Sequence, residues 1–427
     1  MHYFSTSRTS PNATFRDAVL NGQPPDKGLY FPSEIPKLSA GFLRSLCDRP
    51  NEEIAFEVIR PYVGGEIPDE KLFEICRETV NFDFPLVEIS DRIAVLELFH
   101  GPTLAFKDVG ARFMSKCLGY FLRDKNRKTV VIVATSGDTG GAVAAGFHGI
   151  EGVTVVILYP KGKVSRVQEL QLTTFGGNVI TLELRGTFDD CQQLVKTALA
   201  DPDIQWKVDL TSANSINVAR WLPQQFYYFF ALKRWDDEPP VICVPSGNFG
   251  NIAAGILANV SGCPIKRFIA ASNANDIVPR YFESGEFEVW PTIETLSNAM
   301  DVGNPSNFVR VLELLHSDLK ERLCSVSIND EDTATTIRSV FEKYNYVLDP
   351  HGAVAYKALA DYLTSNPTDR GIFLETAHPV KFDSVWKILG TEIPKPPAVA
   401  KLEEKTKTSI EIDADYDALK EILLSRI

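Results

Sequence analysis

Apolar positions along the chain change texture near residue 84. Beyond it, short and nearly continuous apolar runs recur: TVVIVA at 129–134, VTVVILY at 153–159, NVITLEL at 178–184, VICVP at 241–245, RFIAAS at 267–272 and GIFLET at 371–376. Runs of this length, rich in β-branched residues, mark strands buried on both faces, as in parallel sheets. Helical stretches separate them, so the alternation predicts a doubly wound α/β core. Before residue 84 the pattern is mostly helical. Phe15, Ala18 and Val19 recur at helical spacing, and Gly22 is placed to end that helix. GLYFP at 28–32 reads as a short strand or turn, and residues 52–81 carry further amphipathic helix pattern. PKPP at 394–397 reads as a stiff linker, and 398–427 as a charged tail ending in a helix from about Asp415. The expected organisation is a mostly helical N-terminal domain at 1–84, a catalytic α/β region of two lobes at 85–390, and a C-terminal linker and helix at 391–427.

Composition narrows the function classes. The chain has 427 residues with 44% hydrophobic and 23% charged residues, the profile of a globular protein. Its formal net charge is −12 with no basic stripe, so nucleic acid is not an expected partner. No apolar run reaches the ~20 residues needed to span a bilayer. The N-terminus lacks the basic start and apolar stretch of a secretory signal, and a cytoplasmic protein is expected. The 7 cysteines include no CxxC pair, so neither a disulfide scaffold nor a metal site is expected.

Four segments carry candidate chemistry. HGPTLAFKDVGARFMSKCLGYFLRDK at 100–125 reads as one helix after its Gly-Pro, with Asp108, Arg112, Ser115, Lys116, Gly119 and Arg123 on one polar stripe. At about 100° per residue, Lys107 lands on the apolar side of the first turn. Burial and the positive helix N-terminus both disfavour its ammonium form, which suits a lysine that forms a Schiff base; the alternative is a lysine that snorkels to water. ATSGDTGGAVAAGF at 134–147 runs from strand through a glycine turn into a small-residue helix, either an anion site or a tight turn. VICVPSGNFGNIAAGILA at 241–258 repeats that arrangement and reads as a phosphate cradle. In FLETAHP at 373–379, Thr376 and His378 sit at a strand end, where a hydroxyl either meets a ligand or caps the turn. SANSINVARWLPQ at 212–224 leads polar residues straight into a helix with Arg220 and Trp221.

Taken in order, YFSTSR, GLYFP, HGPTLAFKD, ATSGDTG, KGKVSRVQ, SANSINVARWLPQ, PSGNFGN and ETAHP resemble the threonine synthase family, pyridoxal-phosphate enzymes of fold type II. The resemblance runs nearly end to end. It implies an enzyme that converts O-phospho-L-homoserine and water to L-threonine and phosphate. Lys107 would hold pyridoxal 5'-phosphate covalently; Gly247, Asn248, Phe249, Gly250 and Asn251 would surround its phosphate; Thr376 would meet the pyridine nitrogen. Ser136, Gly137, Asp138 and Thr139 would receive the substrate's carboxylate end, where sister enzymes of the fold carry Asn in place of Asp138. Lys161, Ser165 and Arg166, with Asn214, Ser215 and Asn217, are candidates for the substrate phosphate. A monomer or weak homodimer is expected. The competing readings are a phospho-lyase of the same family releasing 2-oxobutyrate, a non-catalytic homologue that keeps the fold, and a nicotinamide-dependent oxidoreductase. The last is disfavoured by the absence of GxGxxG.

Overall fold

The computed structural model describes residues 1–123 and 127–426. Two mostly parallel sheets form its centre. The larger has the strand order β11-β10-β9-β12-β4-β3, built from Leu86–Ser90 (β3), Ile93–Glu97 (β4), Val241–Pro245 (β9), Arg267–Ser272 (β10), Leu323–Ser327 (β11) and Gly371–Glu375 (β12). The smaller has the order β13-β7-β6-β5-β8, built from Thr129–Ala134 (β5), Val153–Pro160 (β6), Val179–Arg185 (β7), Asp209–Ser212 (β8) and Ile410–Asp413 (β13). Only the β3–β4 pair in these sheets is antiparallel. A separate ribbon pairs Tyr3–Ser5 (β1) with Tyr30–Pro32 (β2).

Every apolar run singled out in the sequence is a strand. All residues of β5, β9 and β12 are buried, because helices cover both faces of each sheet. Strands β3, β8, β11 and β13 lack that run of apolar residues, whereas β4 has one, Ile93 to Leu96, that was not singled out in the sequence. Strand β13 lies inside the expected charged tail: Ile410–Asp413 adds to the open edge of β7 in parallel register, Ile412 opposite Leu184. The tail's last helix, Tyr416–Arg426, buries Leu419 and Leu423 against the same lobe.

The helix Lys107–Leu122 begins later than expected: the residues after the Gly-Pro form a turn, and Lys107 is the first helical residue rather than one inside a helix already under way; Asp124 and Lys125 lie outside the described residues. Its polar stripe differs from a solvated face. Asp108 and Ser115 are buried, Arg112 donates to the Glu78 carbonyl, and Lys116 pairs with Glu78. The helix Asp69–Thr79 covers that side. The N-terminal part therefore packs into the common core rather than standing apart, with Phe15 against Phe121. At the centre, Phe226–Lys233 is apolar all round, and Phe226 to Ala231 are all buried. Among the described residues no helix is long and apolar enough to cross a membrane.

The two lobes share a topology. Strands β5 to β8 lie in the order β7-β6-β5-β8, and β9 to β12 in the order β11-β10-β9-β12. In each, the first strand has its successor on one side and the last strand on the other. The crevice beyond its carboxyl end is the switch point where α/β sheets bind ligands. The loops leaving β5 and β9 are the two glycine loops read from the sequence.

Packing between lobes is tight at the helix Gly250–Val260. A Cβ placed on Gly255 would lie 2.3 Å from Cζ of Tyr228, a fully buried ring held by a hydrogen bond to Asn251 Oδ1 (2.8 Å). Gly255→Ala is expected to lose about 1–3 kcal/mol by overpacking, read as a lower urea midpoint at unchanged slope.

Candidate active site

A cavity of about 260 Å³ opens between the lobes at the two switch points. Lys107 reaches it from the first turn of its helix. Leu104, three residues earlier, takes a left-handed backbone (φ 57), a conformation that needs support from its surroundings. The support is a short pairing with the segment after β12. Ala105 and Ala377 form an antiparallel bridge, Phe106 N–H donates to the Thr376 carbonyl (2.8 Å), and His378 N–H donates to the Leu104 carbonyl (3.0 Å). Tyr227 Oη also donates to the Phe106 carbonyl. Lys107 and Thr376 are thereby set on the same cavity wall. Desolvation brings the Lys107 amine down from 10.5 to about 8; the Asp138 carboxylate opposes this, while Lys381 and Arg220 add to it.

The loop after β5 is folded on its own side chain. Thr135 Oγ1 accepts from the N–H groups of Gly137 (2.9 Å) and Gly140 (2.8 Å). Gly137 has φ 135, and a Cβ there would strike the Gln168 side chain. Ser136, Asp138 and Thr139 line the cavity, and Gly137 turns the chain behind them. Asp138 is buried, with Oδ1 accepting from Lys381 Nζ (2.7 Å) and Gln168 Nε2 (3.0 Å). Burial opposes its ionisation, but Lys381 and Lys107 outweigh that and hold the carboxyl well below the usual range.

The loop after β9 is a cradle. Gly247, Asn248, Phe249, Gly250 and Asn251 all line the cavity. A Cβ on Gly247 would sit 2.5 Å from Cα of Met300, so only glycine fits there. Phe249 takes φ 59, which turns the chain into the helix Gly250–Val260 and points that helix's N-terminus at the cavity. Asn248 is committed to the protein: Nδ2 donates to Ser215 Oγ (2.9 Å) and Oδ1 accepts from Ser306 N–H (2.7 Å). Asn251 Nδ2, by contrast, is buried without a protein partner.

The other candidates divide. Asn214 and Ser215 line the cavity. Lys161, Ser165, Arg166 and Asn217 are not among the lining residues. Lys161 is exposed and paired with Glu411 (2.8 Å). Ser165 caps the helix Arg166–Thr173, and Arg166 is exposed. Asn217 is buried with Nδ2 donating to the Val19 carbonyl (2.9 Å) and Oδ1 capping the helix Val218–Trp221. The reason is topological: the loop after β6 leaves one strand away from the switch point, and the Asn217 cap faces the N-terminal helix.

Sequence reasoning did not assign Arg220 or Lys381. Arg220 is buried on the cavity wall; Nη1 donates to the Ala213 carbonyl (2.5 Å), while Nε has no partner. It makes no ion pair among the described residues. Its only signal was a charged residue inside an otherwise apolar helix start. Lys381 is fully buried and also donates to the Thr103 carbonyl (2.8 Å); nothing in PVKF marks it as such. His351 lines the cavity, accepting from Ala299 N–H (3.2 Å) while its Nδ1 meets Asp349 Oδ1 (2.6 Å).

Comparison with known proteins gives a consistent picture. The family described as pyridoxal-phosphate dependent enzyme matches residues 84–372, the threonine synthase N terminus matches 2–80, and the threonine synthase C-terminal region matches 352–423. The chain is 43% identical to a threonine synthase from Haemophilus influenzae over 99% of its length and 100% of that protein. The crystal structure of threonine synthase from Escherichia coli superposes with a TM-score of 0.94 at 41% identity, covering 100% of both chains. A pyridoxal-phosphate-bound threonine synthase from Brucella melitensis gives 0.91 at 36% identity, covering 99% and 98%.

The amine of Lys107 should titrate near pH 8 in cofactor-free protein. Peptide-resolved acetylation rates against pH should show half-maximal reactivity there, more than two units below a surface lysine. Because the folded value lies below 10.5, the unfolded chain binds more protons between about pH 8 and 10.5. This group therefore disfavours the fold most below pH 8, and the penalty fades as pH rises through that window.

Proposed function

The chain belongs to the threonine synthase family of pyridoxal-phosphate-dependent enzymes, and we propose that Lys107 holds the cofactor and moves the protons of the reaction. The activity is the conversion of O-phospho-L-homoserine and water to L-threonine and phosphate. The observation that carries the residue assignment is geometric: the backbone pairing of the turn before Lys107 with the segment after β12 sets this lysine in the same cavity that the glycine cradle and Thr376 also line.

The residues present fit the cofactor. A phosphate at the start of the helix Gly250–Val260 meets free backbone N–H groups and the positive end of the helix dipole. Glycine at 247 leaves the backbone bare where a Cβ cannot stand, and the unpartnered Asn251 Nδ2 supplies a donor. Thr376, just past the end of β12, offers a hydroxyl to the ring nitrogen. A hydroxyl does not hold a proton on that nitrogen as a carboxylate would. When bound, pyridoxal phosphate supplies the electron sink that accepts charge from the substrate's α carbon.

Lys107 does the rest of the proton handling. Its amine takes a proton from Cα, then one from Cβ as the γ-phosphate leaves; one proton is delivered to Cγ, which becomes the methyl group, and one returns to Cα after water has given its hydroxyl to Cβ and its proton to the amine. Arg220 is a buried cation on the cavity wall with no carboxylate partner among the described residues, and we assign it to the substrate's anionic groups. Ser136, Thr139, Asn214 and Ser215 line the wall around it as neutral donors. Asn248 acts indirectly, bracing the cradle against Ser215 and Ser306.

Borohydride reduction of the yellow holoenzyme should fix the cofactor on the single peptide that carries Lys107. Lys107→Ala should fold, take up cofactor without covalent attachment, and form no threonine. Label at another lysine, or threonine formation at a near-normal rate, overturns the assignment. Product analysis with O-phospho-L-homoserine separates threonine formation from release of 2-oxobutyrate.

Arg220→Met should reduce kcat/KM by about ten- to hundredfold, the loss of one or two charge-assisted hydrogen bonds. Cofactor occupancy should hold, and inhibition by inorganic phosphate should weaken in parallel. Undiminished phosphate inhibition places the substrate phosphate elsewhere on the wall.

A further inference from the structure

We propose that Lys381 is a positioning residue: through a buried ion pair with Asp138 it sets the charge facing Lys107, and with it the protonation of the nitrogen that links this lysine to its cofactor. The inference rests on the assignment of Lys107 above.

The geometry is that of a single carboxylate serving two lysines. Lys381 follows β12 in the short turn Pro379–Lys381 and has no exposed surface. Its Nζ donates to Asp138 Oδ1 at 2.7 Å and to the Thr103 carbonyl at 2.8 Å. Thr103 belongs to the turn that precedes Lys107, and its N–H and hydroxyl both bind Asp108, the second residue of the lysine helix. Gln171 Nε2 shares the same Thr103 carbonyl (2.9 Å), and Gln168 Nε2 holds Asp138 Oδ1 (3.0 Å). Lys381 thus joins three segments: the turn before Lys107, the glycine loop of the smaller lobe, and the exit of β12 in the larger lobe.

Such a group is unusual in its expense. A fully buried ammonium survives only when paired, and its pair here lies on the cavity wall rather than in the core. A purely structural cross-link between the lobes would be served by neutral groups at less desolvation cost. The wall position matters because Asp138 also faces Lys107, so the site carries an alternating array of ammonium, carboxylate and lysine nitrogen. The charges that face the Lys107 nitrogen are Asp138 from the helix Asp138–Phe147, Lys381 from the turn after β12, and Arg220 from the helix Val218–Trp221. Those facing Lys381 also include Asp108 from the lysine helix and His378 from its own segment. Asp138 favours a proton on the Lys107 nitrogen; Lys381 and Arg220 disfavour it. The ion pair keeps these two influences matched, and pins the carboxylate on the cavity wall.

The test is a pH titration of the absorbance of the lysine–cofactor link in the holoenzyme, recorded without substrate. Asp138→Asn removes the anion and should lower the midpoint by about one pH unit. Lys381→Met leaves the anion facing Lys107 alone and should raise it by a similar amount. The double variant Asp138→Asn/Lys381→Met should return toward the wild-type midpoint and recover thermal stability lost by Lys381→Met. Shifts of opposite sign that cancel in the double variant support the role. Unmoved midpoints with a loss of stability mean that the pair only fastens the lobes together, and overturn it. If Lys381→Met does not fold, Asp138→Asn against the double variant decides: a double variant that keeps the full downward shift overturns the proposal. A wild-type holoenzyme with no such absorbance would instead refute the Lys107 assignment itself, before any variant is compared.

Discussion

The pairing of Ala105 with Ala377 is the constraint on which the site depends. A few backbone hydrogen bonds tie the turn before Lys107 to the residues that follow β12. They impose a left-handed conformation on Leu104, a residue that avoids it when free. They also decide that the lysine helix starts at residue 107 and not a turn earlier or later, so that its first side chain enters the cavity. A shift by one residue would turn Lys107 by about 100° into apolar packing.

The site then solves an electrostatic problem that composition hides. A chain with a net charge of −12 binds a substrate and a cofactor that both carry phosphate. Bulk charge repels such ligands only weakly at contact distance, while local donors act at full strength in a desolvated crevice. The donors proposed for them are a helix N-terminus, bare glycine backbone, the buried Arg220 and the partly buried Lys107. Lys381 stands one layer back, where it balances Asp138 and completes a compact array of alternating charge.

The lobes repeat one four-strand topology, and this places the two glycine loops face to face. Each loop leaves the first strand of its unit at the switch point, β5 in one lobe and β9 in the other. No internal repeat is visible in the amino-acid sequence, because the repeat lies in strand order and connection, which many unrelated apolar runs satisfy. The strand β13 escaped notice for a similar reason: Ile410–Asp413 alternates with charged residues in a charged tail, and only the open edge of β7 makes it a strand.

Much of this protein was written in local chemistry. The buried strands announced themselves as apolar runs because both faces of a parallel sheet are covered. The glycine loops were legible as glycine and asparagine placed directly after strands, and Lys107 as a charge on the apolar side of a helix. These are properties of neighbours in sequence, fixed by the periods of helix and strand. What a polar side chain faces depends on segments far away. Lys161, Arg166 and Asn217 carried the right chemistry for an anion, yet they are spent on a surface carboxylate, a solvated helix start and a helix cap. Lys381 showed no local mark of its burial, and Arg220 only its apolar neighbours in sequence; both are buried by segments far away in the chain. Burial sets the cost of a charge and the reach of its field, and burial is decided by packing between segments, so Arg220 and Lys381 came to the site through the tertiary structure alone.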